Sequence, residues 1–430
     1  MIPNENAPVA NSLWTATANP APPCPPLEGA AQAEVAIVGA GFTGLSAALH
    51  LAEAGVSVAV LEAETPGWGA SGRNGGQVIA GLKDDPDAIE AHFGPERGRR
   101  LVEMASSAPA LVFDLARKHD LNCDARPTGW IQPSHNQSAL KTAQQRVTQW
   151  ARRGVDIRML SRADTAALLG TDAYVGGLFD SRGGNIHPLN FSLGLARAAQ
   201  EQGAQVHGHS PVTRLVPLGD GGFELNTPHG QLRVGKVVLC TNGYTDGLAA
   251  PLNRTVVPVR SVQVASAPLS EEVRSSILPE GHSASDSRRI LLYFRLDRDG
   301  RFVMGGRGAY SAAGTRAQQD RLRTASEALY PQLKGVRWEY EWGGYVAMTR
   351  DHYPHLHILA PGLAAGLGFN GRGVAMATAM GRVLADWAQG TPEADLDFPV
   401  TPAAPIPFYS MRKPAVSLLA AWYRYLDARG

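Results

Sequence analysis

Cysteine is nearly missing from this 430-residue chain: Cys24, Cys123 and Cys240 are an odd set, widely separated and without C-x-x-C spacing. That count gives neither a disulfide framework nor a zinc site, and a reducing compartment, the cytoplasm, is the expected location. An excess of one charge sign is missing too. Lys+Arg 40 stand against Asp+Glu 39, net charge +1, so no electrostatic footprint for nucleic acid is present in the sum. No uncharged apolar run reaches the roughly 18 residues of an ordinary transmembrane helix. Met1 to Pro26 has neither a basic n-region nor an apolar h-region, being rich in Pro, Ala and Asn with Glu5 near its start; it reads as an extension, not a signal peptide. No Ser-His-Asp or Cys-His constellation stands out. Among the histidines, His352, His355 and His357 come closest to ligand spacing and read as a polar loop, so no metal is expected.

What is present is concentrated in residues 34 to 77. Val35 to Val38 is a short apolar run of buried-strand type, followed by Gly39, Gly41 and Gly44 at G-x-G-x-x-G spacing and an apolar-periodic helix, Leu45 to Ala54. Strand, tight turn and helix are the context in which that spacing has meaning. The first glycine permits the turn, the second lets the backbone approach a diphosphate, and the third allows close packing of helix on strand, while the helix N-terminus supplies N–H groups and a positive dipole end. Gly55 stops the helix, Val56 to Leu61 reads as a second strand, and Glu62 at its end lies about 20 residues past the glycines, where a carboxylate accepts ribose hydroxyls and repels a 2'-phosphate. The alternative is a glycine turn that serves only packing.

A second glycine-rich loop follows almost at once. In Gly69 to Gln77, four glycines surround Ser71, Arg73 and Asn74, a loop able to turn sharply and present N–H groups, a hydroxyl and an amide to a large polar group, with Arg73 placed to pair with a phosphate. A flexible surface loop is the bland reading. Gly366, Gly368 and Gly371 formally repeat the fingerprint, but the helix after them, Val374 to Gln389, leads to no second buried strand ending in an acid, so one nucleotide is expected and not two.

Elsewhere helix-like and strand-like stretches alternate without repeats. Helices are predicted over Gly98 to Lys118, Leu140 to Arg153, Leu189 to Gln202 and around Gln318 to Tyr330, and strands over Ala204 to His207, Val237 to Cys240, Val256 to Ala267, Arg289 to Arg295, Arg301 to Gly305 and Arg337 to Tyr345. The strand-rich part from Val256 on implies a mixed or antiparallel second domain. The Pro/Ala-rich stretch Ala18 to Pro26 and the segment Pro399 to Pro407 read as arms or linkers.

With its motifs in view, the chain resembles the D-amino-acid oxidase superfamily of FAD enzymes, nearest to the branch that includes gamma-glutamylputrescine oxidase. The resemblance covers nearly the whole chain. It is carried by the fingerprint, WGASGRNGGQ at Trp68 to Gln77, GGNIHPLNF at Gly183 to Phe191, VVLCTNGYT at Val237 to Thr245, LLYFRLDRDGRFVMGG at Leu291 to Gly306 and GFNGRGVAMATAMG at Gly368 to Gly381. It implies an α/β fold: a Rossmann-like FAD-binding domain of glutathione-reductase type over 32–82, 170–255 and 345–398, and a mixed or antiparallel substrate domain over 83–169 and 256–344. Residues 1–31 would be an N-terminal extension and 399–430 a C-terminal segment.

By the same resemblance, Gly39, Gly41, Phe42, Thr43, Gly44, Glu62 and Ala63 would hold the nucleotide. Gly69, Ala70, Ser71, Arg73, Asn74, Gly75, Gly76 and Gln77 would run along the ribityl chain and flavin. Val212, Thr241, Asn242 and Gly243 would close the adenine end, although strand packing explains Val212 equally well. Gly368, Phe369, Asn370, Gly371, Arg372, Gly373 and Val374 would lie beside the flavin's pyrimidine end, where a helix dipole stabilises negative charge. Non-covalent FAD is expected, the three cysteines lying far from the C-terminal region where some relatives attach flavin.

The implied chemistry is dehydrogenation of a C–N bond of an amine or amino acid, with hydride passing to flavin N5 and the imine then hydrolysing. Such chemistry needs positioning and a dry pocket more than a nucleophile. No acid or base is assigned; Asn74, Gln77, Asn370 and Arg372 are the flavin-proximal candidates. Tyr293, Arg295, Trp342, Tyr345 and Arg350 are the substrate candidates, an arginine suiting a carboxylate and an aromatic face an ammonium. Trp338, Tyr340 and Trp342 alternate with Glu339 and Glu341, which would set three aromatics on one strand face, as core or as pocket wall. Sarcosine-oxidase-like members carry an oxygen-activating lysine on a strand similar to Arg301 to Gly305, and here no lysine stands between Lys236 and Lys334. The electron acceptor is therefore O2 or another, unidentified carrier. A non-catalytic nucleotide-binding protein is the remaining alternative. The amphipathic end, Val416 to Tyr425, would cap the fold or touch a membrane. Oligomeric state is not legible.

Overall fold

The computed structural model describes residues 12–429; the first eleven residues of the expected extension, and with them part of the segment that lacks the marks of a signal peptide, lie outside the described residues. Two large sheets divide the chain. In the first, the central strand Gly29–Val38 is parallel to Val58–Leu61 on one side and to Gly230–Leu239 on the other, with Gln205–His207 and Leu363–Leu367 continuing the parallel array outward. His355–Ala360 closes one edge antiparallel, and the hairpin Arg214–Pro217/Phe223–Asn226 is appended to Gly230–Leu239.

The central strand shows why its end reads as an unbroken apolar run. Val35 and Ile37 pack into one core with the helices, while Ala36 and Val38 pack into the opposite core with Leu225, Leu239 and Leu363, so both faces are buried. Its first six residues are small or polar and largely exposed, which hid them from an apolar-run reading. The helices on the first face are Phe42–Glu53, Pro188–Glu201 and Gly373–Ala388, with Pro95–Lys118 outside them. Ser46 Oγ donates to Thr378 O at 2.7 Å, and a Cβ on Gly381 would stand 2.5 Å from Thr43 O; the helix after the third glycine loop thus lies directly on the helix after the first.

The second sheet runs, in spatial order, Trp338–Met348, Val257–Pro268, Arg301–Arg307, Tyr293–Leu296, Ser283–Ser285, Trp130–Ser134, Gly176–Asp180 and Ile157–Leu160. It is antiparallel except where Ser283–Ser285 meets Trp130–Ser134, and helix Ala312–Leu329 covers one face. Two expected domain limits shift. Gly176–Asp180 belongs to this sheet although it falls within 170–255, and Trp338–Met348 runs past residue 344. The chain returns to the first sheet only after Gly184–Asn185, which pairs with Gln77–Val78 as a ribbon between the two.

Four other expectations need correction. Trp338, Tyr340 and Trp342 do not share a face: the register skips Glu339, so Ala265 faces Tyr340 but Ser266 faces Trp338. That bulge sends Trp338 toward the helix-covered core while Tyr340 and Trp342 pack on the other side. The Pro-rich stretch is a strap and not a loose arm. Prolines cannot donate, but their carbonyls accept: Arg197 bonds Pro20 O, Gln200 bonds Pro23 O at 2.7 Å, and Gly208 N–H bonds Cys24 O. His355 and His357 are not in a loop; they stand two apart on the edge strand, rings stacked, with His357 buried and held neutral by burial, its pKa lowered to about 4. The C-terminal helix, Arg412–Arg429, is tethered through Asp427, which accepts the Arg289 and Ile290 N–H groups, yet it leaves Leu418, Trp422 and Tyr425 exposed. It caps the fold only in part.

Candidate functional site

The parallel strands Gly29–Val38, Val58–Leu61, Gly230–Leu239 and Leu363–Leu367 all end on one edge of the first sheet. Within two residues of those ends come Gly39, Glu62, Thr241 and Gly368. Four sequence-distant candidate sets are thereby gathered along the carboxyl edge of an open parallel sheet, the place where such sheets bind ligands.

At the fingerprint, Gly39 has φ +105 and donates to Leu61 O at 2.9 Å. A Cβ on Gly44 would stand 2.0 Å from Gly39 O, so only glycine lets the helix start this close to the turn. Glu62 closes the far side: Oε2 accepts the Ala40 N–H at 2.7 Å and Oε1 the Glu64 N–H at 3.0 Å. Burial raises its pKa, those two bonds opposing the rise. A carboxylate offers about four acceptor positions, so acceptor capacity remains for a hydroxyl.

The second loop is joined to the first by one side chain. Ser71 Oγ accepts the Phe42 N–H at 2.9 Å, and a Cβ on Gly41 would meet that same oxygen at 2.9 Å. Arg73 is engaged in part by the protein itself. It is buried, its Nε donates to Trp68 O at 2.7 Å and Nη1 to Gly343 O at 3.3 Å, and the guanidinium lies 4.5 Å over the Trp68 ring. Asn74 is spent on the loop itself: Nδ2 donates to Ser71 O at 2.7 Å and Oδ1 accepts the Gly76 N–H at 2.8 Å. Gln77 is turned to the second sheet, donating to Ala284 O at 2.9 Å and accepting from Ser285 Oγ at 2.6 Å. These side-chain bonds set the shape of the loop.

The third loop closes the gap. Asn242 Oδ1 accepts the Gly368 N–H at 2.9 Å, tying the Thr241–Gly243 turn to it. Asn370, at φ +51, accepts the Thr349 N–H at 2.9 Å and donates to Gly368 O at 2.6 Å; its amide sets the turn. A Cβ placed on Gly371, at φ +89, would meet no atom within 4 Å, so that side of the turn is open, next to the first N–H groups of Gly373–Ala388, which no helical carbonyl can satisfy. Phe369 and Val374 are buried beneath. Arg372 donates Nη1 to Ala80 O at 2.7 Å and lies 5.9 Å from the Trp130 ring; burial lowers it to about 9.

The substrate candidates separate. Tyr293 lies against the second loop, its ring 2.8 Å from a Cβ placed on Gly75, its hydroxyl 3.0 Å from Ser261 Oγ, and its pKa pushed up to about 12 by burial. Trp342 Nε1 donates to Arg73 O at 2.9 Å. Tyr345 packs edge-on to Tyr244, whose own ring flanks Trp68. Arg295 lies beneath the loop: it is buried, donates to Ile186 O at 2.9 Å and stacks on Trp14, and desolvation lowers it to about 10. Arg350 is exposed in the bend after Trp338–Met348, next to Thr349, which bonds Asn370 of the third loop. Val212 is half-buried against the second face of the first sheet. Trp14, Gln263 and Thr349 were missed; one tryptophan in a Pro/Ala-rich segment carries no periodic signal, and Gln263 alternates with core residues as any strand polar would. Among the described residues no cluster of His, Cys, Asp or Glu could hold a metal, and no helix is long and apolar enough to cross a membrane.

FAD fits this geometry. A turn closed to any Cβ, N–H groups at two helix starts, a carboxylate with acceptor capacity left and an open turn at Gly371 are what a dinucleotide ending in an electron-accepting ring requires. Residues 34–387 match the family model described as FAD dependent oxidoreductase. The chain is 33% identical over 428 residues to gamma-glutamylputrescine oxidoreductase of Escherichia coli (strain K12), covering 98% of this chain and 99% of that protein. It is 34% identical over 376 residues to the probable oxidoreductase OrdL of Haemophilus influenzae, covering 86% of each. Glycine oxidase from Geobacillus kaustophilus superposes with a TM-score of 0.72 at 21% identity, over 86% of this chain and 99% of that one, a likeness of fold.

Proposed function

The chain belongs to the FAD dependent oxidoreductase family, and we propose that it oxidises the C–N bond of a small amine or amino acid, a gamma-glutamylputrescine-like amine first among them. The observation that carries this reading is the end-to-end match to a relative that acts on that amine by name, 98% of one chain against 99% of the other. Bound FAD supplies a two-electron acceptor for hydride from the carbon that bears nitrogen. The substrate leaves as an imine, which water converts to a carbonyl compound and ammonia, or to an amine where the nitrogen carries a second carbon.

The chain's own part is positioning and electrostatics. The start of Gly373–Ala388 and the Arg372 guanidinium place positive potential at one end of the crevice. Tyr293 and Trp342 press the Gly75 side of the second loop from the second sheet. No acid or base is assigned: Asn74, Gln77 and Asn370 are consumed in holding backbone. FAD is held without a covalent bond in this reading. Burial raises the Cys123 thiol to about 12 and raises Cys240 as well, so neither offers a thiolate; flavin that stays on acid-precipitated protein would contradict it.

Anaerobic mixing with gamma-glutamylputrescine and a panel of simpler amines and amino acids tests the proposal, read as loss of the oxidised-flavin absorbance. Bleaching by an amine supports it. No bleaching across the panel in flavin-loaded protein leaves only nucleotide binding. A second reading, in which a carrier or quinone rather than O2 takes the electrons, is favoured by one feature: residues 237–333 contain no lysine, and Val303 of the strand Arg301–Arg307 is buried in an apolar cluster with Leu13, Trp14 and Trp342.

A further inference from the structure

Two indoles grip consecutive carbonyls of the second glycine loop. Trp342 Nε1 donates to Arg73 O at 2.9 Å, and Trp14 Nε1 donates to Asn74 O at 2.8 Å. The rings meet edge to face, centroids 5.8 Å apart, inside an apolar cluster with Leu13, Ala265 and Val303 that is at most 6% exposed. Trp342 comes from the second sheet. Trp14 comes from a single helical turn, Leu13–Ala16, reached through the strap that precedes the first strand. We propose that Trp14 is a positioning residue for FAD: the N-terminal turn completes the cofactor site by fixing the peptide between Asn74 and Gly75.

Other restraints flank that peptide: the Asn74 N–H donates to Ala70 O at 3.1 Å, and the Tyr293 ring lies against Gly75. Arg73 O is also held by Gln263 Nε2, and Gly76 by Ile186 N–H and Asn74 Oδ1, but Asn74 O has Trp14 as its donor, and Gly75 has no side chain to pack. A carbonyl fixes the plane it shares with the next N–H, so the Trp14 bond orients the Gly75 amide within the second glycine loop. The turn that carries Trp14 is itself anchored. Ser12 Oγ accepts the Trp14 N–H at 3.1 Å, Thr17 Oγ1 donates to Leu13 O at 2.7 Å and lies 3.0 Å from His187 Nε2, and the Arg295 guanidinium covers the Trp14 face at 4.9 Å. A tryptophan that served only as filler would not need its one polar atom aimed at a cofactor loop.

The test uses flavin-loaded enzyme in which Trp14 is replaced by its benzothiophene analogue, which keeps the shape and deletes the N–H, alongside Trp14→Phe and Trp342→Phe. Leaving a buried carbonyl without its donor predicts about tenfold weaker FAD binding for the analogue, a changed flavin midpoint potential, and faster hydrogen exchange at Gly75 and Gly76 in the apoprotein. Should Trp14→Phe fail to fold, the analogue still reports. Wild-type affinity, potential and exchange in the analogue would overturn the proposal, whatever happens to Tm. None of these readouts involves an amine, so they stand apart from the substrate reading.

Discussion

Ser71 Oγ holds the Phe42 N–H at 2.9 Å across 29 residues of chain, so the hydroxyl of one glycine loop caps the helix that rises from the other. An N-cap normally comes from the residue just before its helix; here that position is Gly41, which has no side chain to give. The substitution Ser71→Ala should remove the cap and loosen both loops together, weakening FAD binding by about 1–2 kcal/mol, roughly five- to thirtyfold. Flavin fluorescence titration measures it. Unchanged affinity would show that the two loops bind independently.

Gly41→Val reports on the same junction from the other side. Its new Cβ would fall 2.9 Å from Ser71 Oγ, so the branched side chain displaces the second loop as well as crowding the diphosphate. The variant should purify without flavin. Pairing it with Ser71→Gly, which opens that space, should restore part of the FAD content if the loop contact is the larger obstacle, and none if the diphosphate contact is.

Much of this arrangement is legible in the residues. The fingerprint, its strand and its acidic terminus fix the nucleotide end locally, since each signal spans a few residues whose spacing has one steric solution. The longer helices are readable as well, with ends displaced by up to six residues, whereas the short helices Pro86–Phe93 and Arg162–Leu169 carry no such signal. A charge and an amide in a glycine loop suggest that Arg73 and Gln77 touch the ligand, but what a side chain meets depends on strands some 200 residues away. Gly343, Ala284 and Ser285 supply such distant partners, while Trp68, five residues from Arg73, is local. The bulge at Glu339 is invisible for a related cause: alternation in sequence implies one face only while the register is unbroken.

Gly381 makes a prediction about stability. A methyl there would sit 2.5 Å from Thr43 O and 2.6 Å from Ser46 Cβ, in a helix pair that also shares the bond from Ser46 Oγ to Thr378 O. Gly381→Ala should cost about 1–3 kcal/mol through overpacking, read as a lower Tm of the apoprotein. Because Thr43 lies in the first turn of the fingerprint helix, FAD affinity should fall with it. An unchanged Tm would mean that the two helices separate freely at this point.

The electron acceptor can be separated from the chemistry. With no lysine in residues 237–333 and Val303 in a buried apolar cluster beside the second loop, no ammonium from that strand is placed to assist electron transfer to O2. Enzyme reduced by its amine should reoxidise slowly in air-saturated buffer and quickly with an added quinone or dye, measured by stopped flow. Rapid reoxidation by O2 alone, with one peroxide per turnover, would establish an oxidase.

The N-terminal turn should also make stability depend on pH. His187 caps Pro188–Glu201 by accepting the Asn190 N–H at Nδ1, 3.1 Å away, so its proton is on Nε2, facing Thr17 Oγ1 at 3.0 Å. Burial, and then the Arg295 guanidinium beside it, lowers its pKa to about 3. An unfolded imidazole titrates near ~6.5. Between those values the unfolded chain takes up a proton that the folded chain refuses, so the contribution is intact above pH ~6.5 and is lost as pH falls toward 3, with a limiting slope of about 1.4 kcal/mol per pH unit. Asn also serves as an N-cap, so His187→Asn keeps the helix start while removing the titrating ring. Its Tm should decline less steeply than wild type between pH 6.5 and 4, and Trp14 fluorescence in the wild type should shift toward that of exposed indole over the same interval. Parallel acid limbs for the two proteins would place the charge sensitivity elsewhere.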